Sequence, residues 1–309
     1  SANGQTWIVT DTQKAGDAFL HYLRGDSVPE QGEELEVSVD VARRAAIQRH
    51  HTVTHLFHWA LHEVTSPAST QKGSYVGTEK LTFDFNCQAL SQGQVADIER
   101  LVNERILENE AVSTAVLPHE EVASRDDILQ FFGEKYGNLV RVVQIGGQEG
   151  SLNGYSMELC GGAHTRATGE LGLFRIISES AIAAGIRRVE AVTGLVAAQQ
   201  ARVDADRIME LAEILNSPIK NIEQKVEQAL EQTKKLEKQL KSIQQSRAAD
   251  MATGLLPSAV DVEGIQFIAA NLGNADGNFA QSVVDALKGQ FGGVIVLGAI
   301  GEGSVALVA

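Results

Sequence analysis

Two segments far apart in the chain, His51-Thr52-Val53-Thr54-His55 and Cys160-Gly161-Gly162-Ala163-His164, constrain its folding more than any other feature. His51 and His55 stand at i and i+4, so a helix carries both imidazoles on one face, one turn apart. Cys160 and His164 share that spacing, but Gly161 and Gly162 between them form helix poorly. This second pair reads as a strand end running into a tight turn. Three imidazoles and one thiolate make a tetrahedral zinc set, because borderline-soft zinc takes nitrogen and sulfur ligands. A fold that uses both pairs must close a long loop of chain.

The histidines need sorting. His50, His51, His55, His58 and His62 crowd one segment, and four of them fall on a single helical stripe, so by spacing alone any adjacent pair can hold a metal. A helical zinc protease needs a glutamate directly after the first histidine as general base; Thr52 stands there, and that reading fails. Cys160 has an alternative as a small buried hydrophobe. Its place before two glycines and four residues ahead of His164 favours a ligand. Cys87 has no histidine at a suitable spacing and reads as core or surface.

Bulk properties narrow the class. At 309 residues there is room for two or three domains. The net charge of −14 argues against a chain that coats nucleic acid non-specifically, without excluding a local basic groove. Only two cysteines fit a reducing, cytoplasmic compartment better than a disulfide framework. No membrane-spanning run and no signal peptide is evident. Ser1-Ala2-Asn3 without methionine, and Val305–Ala309 inside a strand-like stretch, read as the ends of a piece excised from a longer protein.

Along the chain, Thr6–Thr10 and Glu34–Val39 read as strands of a small barrel or sheet. Val41–Val64 is helical. Leu81–Phe85 alternates as a strand, and Gln94 to about Glu110 is an amphipathic helix with Ile98, Leu101, Val102 and Ile106 on its stripe. Ser124–Asp127 resembles a capping box opening a short helix through Phe132. Leu139–Ile145, Tyr155–Leu159, Leu173–Ile177 and Val189–Thr193 complete a set of short strands. Residues 201–250 are charge-rich and glycine-free, and Ile222, Val226, Ala229, Thr233, Leu236, Leu240 and Ile243 follow a heptad seam. The alternative is a long helix packed on its own domain. Beyond Pro257, strands at Ile265–Ala270 and Val294–Leu297 flank a helix at Phe279–Leu287, a β-α-β fragment.

At this point the residues resemble a known family. HTVTHLFHWAL, QKGSYV at 71–76, TFDFN at 82–86, FGEKYG at 132–137, ELCGGAH at 158–164 and GIRRVEAVTG at 185–194 are similar, in order, to the editing domain of alanyl-tRNA synthetases. The heptad helix and the β-α-β unit resemble that family's C-terminal oligomerisation and tRNA-binding module, the C-Ala region. The implied fold is α+β: a small β-barrel-like N-terminal part over 1–44, an editing domain with a zinc site over 45–200, a helical, coiled-coil-like segment over 201–250, and a truncated α/β unit over 251–309.

The implied activity is hydrolysis of alanine tRNA mischarged with serine or glycine. Carried over by motif, His51, His55, Cys160 and His164 would ligate zinc, with Cys160 also counted in the catalytic set. Thr54 would reach the serine hydroxyl, and Gln71 would position the substrate or the hydrolytic water. Arg187 and Arg188 would face the 3′ end of the tRNA, unless they are ordinary surface. ATP and Mg2+ would serve only the aminoacylation domain, which this sequence does not contain. A homodimer through the heptad helix and C-terminal unit is expected, with no membrane partner. The family usually has threonine at Ala163 and asparagine at His50, and the glycine-rich strand that opens its domain is missing ahead of Thr6. Two rivals stand beside this reading: a free-standing AlaX-type trans-editing protein, and a non-catalytic tRNA-binding and dimerisation module with structural zinc. A phosphoesterase related to the C-terminal unit needs aspartate-histidine metal motifs, which the sequence lacks.

Overall fold

The computed structural model describes residues 5–16, 18–25, 27–130, 137–301 and 304–309. They fall into two units, Ser1–Asp204 and Ala205–Ala309. The first opens with an antiparallel hairpin, β1 (Ile8–Ala15) paired with β2 (Ala18–Arg24). No further strand joins it among the described residues, and no barrel closes. The strand expected at Glu34–Val39 is irregular chain. Its apolar residues Leu35, Val37 and Val39 remain exposed, since alternation makes a strand only where an edge accepts its hydrogen bonds.

Asp40 caps α1 (Val41–Val64), its carboxylate accepting from the Arg43 amide at 2.9 Å. From His50 to Leu61 most of this helix is buried. It is packed on several sides, which leaves no polar face to define a stripe. A hairpin of β3 (Gln71–Val76) and β4 (Leu81–Asn86) follows, then α2 (Gln92–Leu107), opened by a capping box between Ser91 and Gln94. Ile98, Val102 and Ile106 of the expected stripe are buried, and Leu101 packs at its margin.

The chain continues through β5 (Val112–Pro118), α3 (His119–Val122), β6 (Leu139–Ile145), β7 (Ser156–Leu159), β8 (Phe174–Ala183) and β9 (Ile186–Thr193). Two antiparallel sheets result, ordered β3-β4-β9-β8 and β5-β6-β7. Helices α1 and α2 cover the first, with Phe57 edge-on to Phe83 at 5.2 Å, in a core completed by Phe85, Phe174, Leu56, Leu61 and Val189. Each such side chain, withdrawn from water, contributes about 1.5–3 kcal/mol.

The helix expected after Ser124 does not form over the described residues to 130. The Asp127 carboxylate is taken by Arg125, and the chain then runs extended beside β7. There the Leu129 amide donates to Met157 O at 2.8 Å and the Leu159 amide to Leu129 O at 3.0 Å. A free sheet edge outcompeted the cap. Phe132, and all but Gly137 of the FGEKYG block, lie outside the described residues.

Helix α4 (Leu195–Ile214) carries residues of both units. The helical stretch expected over 201–250 is interrupted near Asn216, whose φ is +46°, and Pro218. It resumes as α5 (Ile222–Leu255). Then come β10 (Val260–Val262), β11 (Ile265–Asn274), α6 (Gly277–Lys288), β12 (Val294–Gly301) and β13 (Ser304–Val308), in the order β10-β11-β12-β13. β11 and β12 run parallel across α6, the expected β-α-β unit. Ala248 and Ala252 of α5 share a core with Ile268, Val284, Leu287 and Leu297. Among the described residues no helix is long and apolar enough to cross a membrane.

Candidate metal centre

α1 presents His51 and His55, and the chain leaving β7 brings Cys160 and His164 against them. The four donor atoms lie within 4.8 Å of one another. Cys160 Sγ is 3.4 Å from both His51 Nε2 and His164 Nε2. A tetrahedral zinc with bonds near 2.3 Å to sulfur and 2.1 Å to nitrogen has an S···N edge of about 3.6 Å. Cys160 follows the last residue of β7, the strand end that its glycines imply. Gly162 is required for a further reason: a Cβ there would stand 1.7 Å from His51 Cε1.

Each incoming element is held from behind. Glu158, 2 % exposed, accepts from His55 Nδ1 at 2.8 Å and from His58 Nδ1 at 3.0 Å. His164 Nδ1 lies 3.1 Å from Thr52 Oγ1, which also accepts the Thr165 amide at 3.0 Å. Gln48 donates to His164 O at 2.8 Å. Arg141 donates through Nε to Cys160 O at 2.9 Å and through Nη2 to Gly162 O. Burial works against ionising Glu158, but His55 and His58 outweigh it and hold the carboxyl well below its usual range. Burial also pushes the Cys160 thiol up, yet hydrogen bonding from His164 and His51 brings it down to about 3, as a ligating thiolate needs.

These residues fit a metal. His55 has Nδ1 fixed by Glu158, while its buried Nε2 has no hydrogen-bond partner. The carboxylate–histidine arrangement behind a vacant nitrogen is the usual outer shell of a metal ligand.

The other histidines separate by their partners. His50 Nε2 accepts from the Thr193 amide at 3.3 Å, and His62 Nε2 bonds Ser69 O at 2.9 Å, so both tie backbone. Thr54 is buried on α1, its hydroxyl donating to His50 O at 2.7 Å. Gln71 heads β3, where its amide donates to Ser74 Oγ at 2.9 Å. Arg187 is paired with Glu179, and Arg188 with both oxygens of Asp84 at 2.6 and 2.8 Å. The structure thus gathers the four donors and places Thr54, Gln71 and the arginine pair in separate local networks.

Glu158, Thr52, Gln48 and Arg141 were not anticipated. One signal was available for Glu158: strand parity puts positions 158 and 160 on the same face. Thr52 and Arg141 carry no such mark, because their partners meet them only in the folded chain.

Residues 140–190, which hold β6 from its second residue, β7 and the Cys160–His164 turn, match the family described as the threonyl and alanyl tRNA synthetase second additional domain. That match supports an editing-related domain akin to those of the two synthetases, acting on tRNA.

Proposed function

We propose that this chain is the editing part of an alanine-tRNA ligase and hydrolyses tRNA(Ala) mischarged with serine or glycine. The observation that carries the reading is the convergence of His51, His55, Cys160 and His164 at the end of β7, with Cys160 and His164 inside the stretch matched to the synthetase-related family. Zinc is the cofactor that suits this donor set, supplying a fixed positive charge that anchors the site or clamps the substrate's amino or hydroxyl group.

The substrate is an ester between an amino acid and the terminal ribose, broken by water attacking its carbonyl. Thr54 supplies discrimination. Its hydrogen is committed to His50 O, so its oxygen is left to accept from a serine hydroxyl, a bond that alanine cannot make. A synthetic site cannot strongly reject serine, which merely adds a hydroxyl, or glycine, smaller by one methyl. A second site that rewards the wrong substrate restores accuracy. Gln71 helps position substrate or water, and Arg187 and Arg188 face the tRNA. A tRNA substrate and two free cysteines support a cytoplasmic location.

The test is deacylation of serine-charged tRNA(Ala), with an alanine-charged control, by the chain and by Cys160→Ala and Thr54→Val, each with metal content measured. Serine-selective release is expected, lost in Cys160→Ala and stripped of selectivity in Thr54→Val. Unchanged relative rates in Thr54→Val would remove that residue's role. The closed set of four donors favours a second reading, a tRNA-binding module with structural zinc. No release from folded, metal-replete protein would establish it instead.

A further inference from the structure

One buried histidine of the α1 stripe is neither a metal donor nor a tie to backbone. His58 is 3 % exposed and follows His55 by three positions, so both rings leave the same face of the helix. Its Nδ1 lies 3.0 Å from Glu158 Oε1, while His55 Nδ1 lies 2.8 Å from Oε2. One carboxylate thus spans two successive imidazoles, an oxygen to each. An ionised carboxylate only accepts, so both Nδ1 atoms carry the hydrogen. In the neutral ring Nε2 of His58 is then a buried acceptor, and it has no hydrogen-bond partner among the described residues.

A core position that needs bulk alone gains nothing from such an orphaned nitrogen. The ring stands 5.1 Å from that of Phe83, centroid to centroid, and phenylalanine or leucine would fill the space without stranding a polar atom. The use of a histidine here lies in its other nitrogen. Glu158 has its backbone pinned on both sides, by Val143 of β6 and by the bridge to Leu129. Its carboxylate is not pinned in that way, because rotation about the terminal side-chain bond is broad and roughly two-fold. His55 and His58 are its side-chain hydrogen-bond partners among the described residues. Held by His55 alone, the group would turn about a single hydrogen bond; held at both oxygens from one helix face, it is fixed. His58 is braced in turn by the His62 ring, edge-on at 4.5 Å, whose Nε2 bonds Ser69 O at 2.9 Å. The histidine stripe therefore divides, with donor atoms on His51 and His55 and their support on His58 and His62.

We propose that His58 is a positioning residue of the metal centre: by holding Oε1 of Glu158 it turns Oε2 onto Nδ1 of His55 and so commits Nε2 of His55 to the metal. The proposal rests on the metal-binding part of the reading above and extends it to a residue outside the donor set. It requires neither tRNA nor deacylation.

The test is zinc affinity of the full chain by chelator competition, for the unaltered protein, His58→Phe and His58→Asn. Phenylalanine keeps a ring and removes the donor. Asparagine restores an N–H near the place of Nδ1 and removes Nε2. Affinity should fall about tenfold in His58→Phe and return to within about threefold in His58→Asn. With cobalt in place of zinc, the visible absorption bands, which follow ligand geometry, should shift in His58→Phe and be restored in His58→Asn. An unchanged affinity and cobalt spectrum in His58→Phe, or an asparagine variant no better than the phenylalanine one, would overturn the proposal and leave His58 as core packing. Should His58→Phe fail to fold, nitrogen-15 NMR of the unaltered, zinc-loaded chain decides. It should show His58 protonated at Nδ1, and protonation at Nε2 alone would overturn the role. The two proposals fail separately. Serine-selective deacylation with full zinc affinity in His58→Phe removes the role of His58 and keeps the deacylase, whereas His58-dependent zinc affinity without deacylation does the reverse.

Discussion

Glu158 shows how much of a candidate metal site lies behind its donor atoms. It is buried, it sits on the strand that ends at Cys160, and it meets Nδ1 of His55, which turns Nε2 toward the other donors. Glu158→Gln keeps the shape and one acceptor but removes the charge that fixes the imidazole. Metal affinity should fall about 10- to 100-fold, measured by chelator competition, with little change in circular dichroism. An unaltered affinity would mean that helix packing alone orients His55. The donors themselves were legible, because i, i+4 spacing on a helix and a cysteine ahead of paired glycines constrain geometry before any fold exists. The roles of Thr54 and Gln71 come only from family resemblance; the bond from Thr54 to His50 O is the ordinary i−4 contact of a helical threonine, whereas that from Gln71 to Ser74 needs the folded strand.

At the scale of elements, legibility followed local sufficiency. Val41–Val64 and Leu139–Ile145 form as read, because a long capped helix and a buried apolar strand carry their own signals. Glu34–Val39 and the segment after Ser124 were misread where the outcome depended on whether a sheet edge was within reach. The heptad seam of α5 lies open: Val226, Leu236, Leu240 and Ile243 are 40 % exposed or more. Apolar residues kept at that spacing support pairing with a second copy of this chain. Sedimentation should then give the mass of a dimer at micromolar concentration, and Leu240→Glu should return it to that of one chain with helicity retained. A single-chain mass for the unaltered protein would leave α5 a solvent-facing helix.

For the whole molecule, the division matters because all four donors belong to Ser1–Asp204 and none to Ala205–Ala309. A metal held at a thousand times its dissociation constant stabilises its own unit by about 4 kcal/mol, or about 10 °C in unfolding temperature for a domain of this length. Calorimetry with and without chelator should move the transition of the first unit by that order and leave the second in place. A single transition that moves as a whole would show that the units unfold together.

The split of the donor set also has a consequence in time. His51 and Cys160 are separated by 109 positions. At about 5–20 residues per second, a ribosome needs about 5–20 s to travel between them. Through that interval the nascent chain displays the imidazole pair without Cys160 and His164 to complete it, open to whatever divalent ion is abundant. Any selectivity that the full donor set confers therefore arrives late, with the last residues of the Cys160–His164 turn.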